Sequence, residues 1–90
     1  MNKNQIALSS LAMDLKRVAL GYHRGSTAMG ERFLSEALKR KTEVDIISVK
    51  PYIKKLLEKI ELLVNEKDKQ KLAEDALMYS TLFQNAALAK

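Results

Sequence analysis

The chain has no Cys and no Trp, and only one Pro and three Gly in 90 residues. Without Cys there is neither a disulfide scaffold nor a Cys-based zinc or iron–sulfur site. No run of about 18 apolar residues occurs, so the sequence predicts no transmembrane helix. The N-terminal residues 1–5 lead into a helical pattern rather than an apolar signal-peptide core, which predicts a cytoplasmic protein.

Apolar residues make up 47% of the sequence, and nearly all of them recur at helical spacing. No segment alternates apolar and polar residues over the length of a strand. The pattern predicts an all-α fold, a small four-helix up-and-down bundle with short loops, in one domain over residues 1–90. The helices are expected at about 4–24, 27–41, 49–64 and 66–87.

Local signals suggest where these helices begin and end. Gly25 suits the residue after helix 1, although the helix could instead end at Gly21, and Ser26 or Thr27 suits the cap of helix 2. Ser48 is the expected cap of helix 3, with Pro51 in its first turn.

Further signals concern the two later connections. Ile47 and Tyr52 have the spacing of a hydrophobic staple across the start of helix 3. The connector is expected to lie against the core through its apolar residues, Val44, Ile46 and Ile47. Asn65 and Asp68 compete as the cap of helix 4.

Two helices are apolar on more than one side. On helix 1, a second stripe of residues spaced by seven lies away from the main core face, and on helix 4 Met78 and Leu82 occupy one flank while Leu77 and Leu88 occupy the other. A 90-residue domain is marginal as a monomer. The sequence therefore predicts a homo-oligomer, with a dimer favoured, whose interface includes Ile6, Met13, Leu20, Met78 and Leu82.

The net charge of +5 is concentrated in one region. Residues 16–41 hold seven Lys or Arg against two Glu, and they include all four arginines of the chain. Such a surface suits nucleic-acid phosphates or an acidic protein, while a solvated surface that keeps the protein soluble is the alternative. The candidate anion-binding residues surround the corner between helices 1 and 2: Lys16, Arg17, His23, Arg24, Arg32, Lys39, Arg40 and Lys41.

The sequence offers little for catalysis. His23 is the only His, no phosphate-binding glycine loop is present, and no cofactor, metal or catalytic residue is expected. The leading interpretation is a non-enzymatic interaction module that self-associates and presents the basic corner to a partner. A nucleic-acid-binding accessory protein is the alternative.

A remote alternative comes from the segment between Arg17 and His23. Its Arg-x5-His spacing resembles that of HEPN-type helical RNases, which are also helical bundles. The resemblance implies metal-independent RNA cleavage, with Arg17 stabilising phosphate charge and His23 transferring a proton. It covers two residues, and here they lie on helix 1 rather than on a late helix.

Overall fold

The computed structural model describes residues 2–89 and confirms an all-α four-helix bundle. No strand occurs among these residues. Each predicted helix is present, and α2 has the predicted limits. The helices are α1 (Lys3–His23), α2 (Thr27–Lys41), α3 (Pro51–Ile60) and α4 (Lys69–Leu88), with a 3₁₀ turn over Glu61–Asn65 between the last two.

The first two helices are joined by the turn that the sequence predicts. Gly25 has a φ of 76°, which an L side chain adopts at a cost and Gly adopts freely. The Ser26 hydroxyl then accepts the Met29 backbone N–H at 3.2 Å and caps α2. At the other end of α1, the Asn2 side chain accepts the Gln5 backbone N–H while the Gln5 side chain accepts that of Asn2.

The connector between α2 and α3 departs from the sequence prediction. Ser48 does not cap α3, because its hydroxyl donates to Asp45 Oδ2 at 2.9 Å. The helix instead begins at Pro51 after Lys50, which makes no side-chain capping bond. Asp45 also ties the connector to α1, since its backbone N–H donates to Asn4 Oδ1 at 2.8 Å.

The apolar residues of the connector differ in how far they are exposed. Val44 is buried as predicted, whereas Ile46 is half exposed and Ile47 is 90% exposed. The predicted staple between Ile47 and Tyr52 is wrong, because both side chains face solvent. The turn fixed by Asp45 points Ile47 outward, so the connector reaches the core through the buried Val44 and the partly buried Val49.

The third helix is shorter than predicted and the fourth starts later. The α-helix ends at Ile60 and tightens into the 3₁₀ turn, which buries Leu63 and leaves Val64 exposed. Of the two competing caps, Asp68 is used: its carboxylate accepts the backbone N–H groups of Gln70 and Lys71. Helix α4 therefore begins at Lys69 rather than near residue 66.

Helix α1 is the centre of the bundle, with α2 and α4 packed on two of its sides. The hydroxyl of Ser80 donates to the Ala12 carbonyl at 2.6 Å, and Gln5 approaches Ala89, so α4 runs antiparallel to α1. The α3 side chains complete the core between them. The largest fully buried side chains are Phe83, Leu11, Leu15, Leu57, Ile60, Leu72 and Val18.

Candidate functional site

An apolar stripe lies along the outside of α1. Ile6, Met13 and Leu20 are spaced by seven, so they share one side of the helix. All three are exposed, from 38% to 53%. The core positions of α1 are buried by the other helices. Among residues 2–89, no residue buries the stripe to the same degree. The second stripe predicted for helix 1 is thus present as a solvent-exposed row.

Two contacts show where the stripe lies relative to the neighbouring helices. Ala12 meets Ser80 of α4, and Asp14 meets Arg40 of α2. At about 100° per residue, the stripe falls between these two directions on the side away from the core. The stripe therefore faces outward, with α4 on one side of it and α2 on the other.

Helix α4 carries its exposed apolar residues on two different sides. Leu77 and Leu88 lie within about 80° of Ser80, whereas Met78 and Leu82 lie about 160° from it. Since Ser80 contacts α1, Leu77 and Leu88 stand beside the α1 stripe and Met78 and Leu82 point away from it. The structure thus divides the predicted interface residues into two groups, and it adds Leu77 and Leu88 to the group on α1.

The basic corner contains both paired and unpaired cations. Lys39 pairs with Glu36 and Lys41 with Glu61. Arg40 lies 3.1 Å from Glu43. These partners offset the charge of the last three residues of the predicted set. Four exposed members of that set form no ion pair with any residue in 2–89: Lys16, His23, Arg24 and Arg32.

Two arginines converge on a single aromatic ring. The guanidinium carbons of Arg17 on α1 and Arg32 on α2 lie 5.4 Å and 5.5 Å from the centroid of Phe33. Phe33 is half buried, and its ring packs against the core. Cation–π attraction at this distance restrains both long side chains and joins the two helices at the surface.

Asp14 also belongs to this region, although the charge pattern of the sequence does not point to it. Its side chain is only 7% exposed, and Oδ1 accepts from Arg17 Nη1 at 3.3 Å. Burial raises the pKa of the Asp14 carboxyl, against the lowering effects of Arg40 and Arg17. A detectable signal was its position within the apolar set Leu11, Leu15 and Val18, where a carboxylate needs a buried partner.

The two residues of the HEPN-like spacing are not brought together. A separation of six residues places Arg17 and His23 about 120° apart around α1. Arg17 faces Asp14 and Phe33, and His23 is exposed at the last position of the helix. Within residues 2–89, no three His, Cys, Asp or Glu side chains cluster closely enough to hold a metal ion.

Clefts also lie on the surface formed by residues 2–89, and two of them are large enough to describe. The larger, of about 630 Å³, lies between the start of α1 and the start of α3 and is lined by polar side chains that include Asn4, Asp45 and Lys50. The smaller, of about 300 Å³, lies between α2 and α4 and is lined by Leu34, Leu38 and other side chains. Neither contains a buried side-chain polar atom without a partner, since the two such atoms belong to Asp14 and Arg40.

Comparison of the chain with models of known families, with characterised proteins and with solved structures found no match. Among the described helices, none has the combination of length and apolar character needed to cross a bilayer.

Proposed function

We propose that this chain is a non-enzymatic helical module that forms a homodimer through the outer face of α1 and α4. The observation that supports the proposal is the placement of five exposed large aliphatic side chains on that one face. Contiguous exposed apolar patches on small proteins are typical of interaction sites. The set, called the dimer face below, consists of Ile6, Met13, Leu20, Leu77 and Leu88.

The size of the dimer face fits a second copy of the chain. Helix α1 has 21 residues, which gives it a length of about 31 Å at about 1.5 Å per residue. Two helices with axes about 9 Å apart present a face about 20 Å wide. Pairing two such faces removes about 1,200 Å² from solvent, the lower end of the range for stable specific interfaces.

Charge also favours a second copy. Ser9 and Lys16 lie on the α4 side of the α1 row, whereas Thr81 and Glu74 lie just beyond the α4 row, about 100° and 120° from Ser80. Lys16 and Glu74 therefore bring one cation and one carboxylate to this face, whereas the chain as a whole carries +5. In a two-fold dimer the same patch meets itself, so Lys16 of each copy can approach Glu74 of the other without like-charge repulsion.

Neighbouring residues on α4 provide a matched test. Leu77 is 45% exposed and Met78 is 49% exposed, but only Leu77 belongs to the dimer face. We expect the wild-type chain to elute as a dimer in size-exclusion chromatography with light scattering. Leu77→Glu should convert it to a folded monomer, and Met78→Glu should leave it dimeric, because a carboxylate is buried only in the first variant.

Three results would overturn the proposal. The first is a wild-type mass of 10.2 kDa at high protein concentration. The second is dissociation by Met78→Glu with Leu77→Glu still dimeric, which would locate the interface on the opposite side of α4. The third is an unchanged dimer in Leu20→Glu as well as in Leu77→Glu, with circular dichroism showing that both variants are folded.

A further inference from the structure

We propose that Arg17, Arg24 and Arg32 form a sequence-independent binding surface for the phosphates of duplex nucleic acid. This surface, called the arginine surface below, lies on the α2 side of the α1 stripe. The arginine surface shares no residue with the dimer face, although Arg24 follows Leu20 by four positions and so adjoins that face.

The spacing of the three arginines suits a linear polyanion. Arg17 and Arg32 share one ring, so their guanidinium carbons lie within about 11 Å of each other. Arg24 follows Arg17 by seven positions and so lies on the same side of α1, about 10 Å further along its axis. Three separate cations along one edge of the helix hairpin can each meet a different phosphate.

The chemistry of the Phe33 contact favours phosphate over a general acidic partner. A guanidinium held near a ring by cation–π attraction uses none of its N–H groups as hydrogen-bond donors to the ring, so they remain available to an anion. Those N–H groups match two phosphate oxygens at once. Because the ring already restrains Arg17 and Arg32, less side-chain entropy is lost when they bind.

The same contact favours a duplex over a single strand. Proteins that bind single strands stack successive bases on free aromatic side chains. Phe33 is half buried under two guanidiniums, and the nearby Tyr22 ring is half buried with Lys69 over it. This surface therefore has cations but no free aromatic platform, and a duplex supplies the higher density of phosphates.

Pairing within the protein determines which cations are available. Arg24 and Arg32 make no ion pair with another described residue, while Arg17 shares its charge with Asp14. The other arginine, Arg40, is excluded from the surface because Asp14 and Glu43 hold it.

The test measures fluorescence anisotropy of a labelled short DNA duplex of arbitrary sequence at about 50 mM and about 200 mM salt. Three phosphate contacts predict a salt slope near −2.7, which corresponds to about 40-fold weaker binding at the higher salt. Arg32→Gln should weaken binding and reduce the slope by about one. Arg32→Lys should also weaken binding but keep the slope, since it retains charge without the planar fork.

Lys55→Gln is the matched control, because Lys55 is exposed on α3 and forms no ion pair within residues 2–89. It removes one positive charge from the far side and should leave the slope unchanged. Should Arg32→Gln fail to fold, Arg24→Gln gives the same measurement at the end of α1. Circular dichroism shows which variants are folded.

The proposal fails if the duplex does not bind at about 50 mM salt, or if Lys55→Gln and Arg32→Gln change the slope equally. It also fails if polyglutamate competes as well as unlabelled duplex, which would identify an acidic protein as the partner. Tighter binding of the single strand of the same sequence would overturn the preference for a duplex.

Discussion

The carboxylate of Asp14 on α1 faces the guanidinium of Arg40 on α2 across a gap of 3.7 Å between Oδ2 and Nε. This distance permits an ion pair but exceeds that of a hydrogen bond. Both atoms are buried, and neither has a hydrogen-bond partner among the described residues. Arg40 is drawn instead toward Glu43, which its Nη1 contacts at 3.1 Å.

This incomplete pairing predicts how stability depends on pH. Burial raises the pKa of folded Asp14 above the unfolded value of 3.8, so the folded chain holds this proton more tightly than the unfolded chain does. The contribution of Asp14 to the free energy of unfolding is therefore fully present below pH 3.8 and lost as the pH rises through the raised pKa.

Asp14→Asn isolates this contribution, because the amide does not ionise. We expect the free energy of unfolding of the variant, minus that of the wild type, to increase as the pH rises from 3.8 through the raised pKa. Urea denaturation at fixed protein concentration measures both. A difference that decreases over this pH range would show that Arg40 and Arg17 outweigh burial.

Much of the fold follows from residue spacing alone. Helix α1 matches its predicted limits to one residue at each end, because its apolar period, Gly25 and the first cap of α2 all agree. The prediction for the later helices was less accurate where side chains compete. Ser48 has a closer acceptor in Asp45, and Asp68 accepts the backbone N–H groups of Gln70 and Lys71, which places the start of α4 later than a cap at Asn65 would.

The candidate site was less predictable than the fold. Spacing by seven identified the exposed stripe of α1, but the side of α4 that accompanies it depends on how the two helices pack. Only the Ser80 contact shows that Leu77, rather than Met78, stands beside α1. In the same way, the sequence located the arginines, whereas their convergence on Phe33 required the antiparallel arrangement of α1 and α2.

The close approach of α1 and α2 depends on Gly21. A Cβ on Gly21 would lie 2.6 Å from the backbone nitrogen of Gly30, which cannot move without shifting α2. A Cβ on Gly30 would instead meet the Tyr22 ring, a half-buried side chain that can rotate. We expect Gly21→Ala to lower the free energy of unfolding by about 1–3 kcal/mol despite better helix propensity.

Gly30→Ala should cost less than Gly21→Ala, because a side chain gives way more readily than backbone. Thermal denaturation of the two variants under the same conditions measures the order. Equal or reversed losses would mean that the backbones of α1 and α2 are not in contact at this point.

Among residues 2–89, Ser80 provides the one buried side-chain hydrogen bond between α4 and α1. Its hydroxyl donates to the Ala12 carbonyl at 2.6 Å. Ser80→Ala should lower the free energy of unfolding by about 1 kcal/mol, the usual net value of such a bond. Thr42→Ala is the control, since the exposed Thr42 hydroxyl donates at 2.6 Å to the Lys39 carbonyl at the end of α2, and its effect should remain within about 0.5 kcal/mol. Equal losses in chemical denaturation would contradict a specific role for the interhelical bond.

Dimerisation through the outer face of α1 and α4 predicts a melting temperature that depends on protein concentration. Each tenfold increase in concentration stabilises a dimer by about 1.4 kcal/mol, or about 0.7 kcal/mol for each chain. For a chain of this size the melting temperature should therefore rise by about 3–5 °C for each tenfold step. Circular dichroism in cells of different path length measures this over two such steps.

Leu77→Glu should abolish the concentration dependence of the melting temperature, and Met78→Glu should retain it. The exposed fractions of the two wild-type side chains are nearly equal, and only their sides of α4 differ. A wild-type melting temperature that is independent of concentration would contradict the dimer.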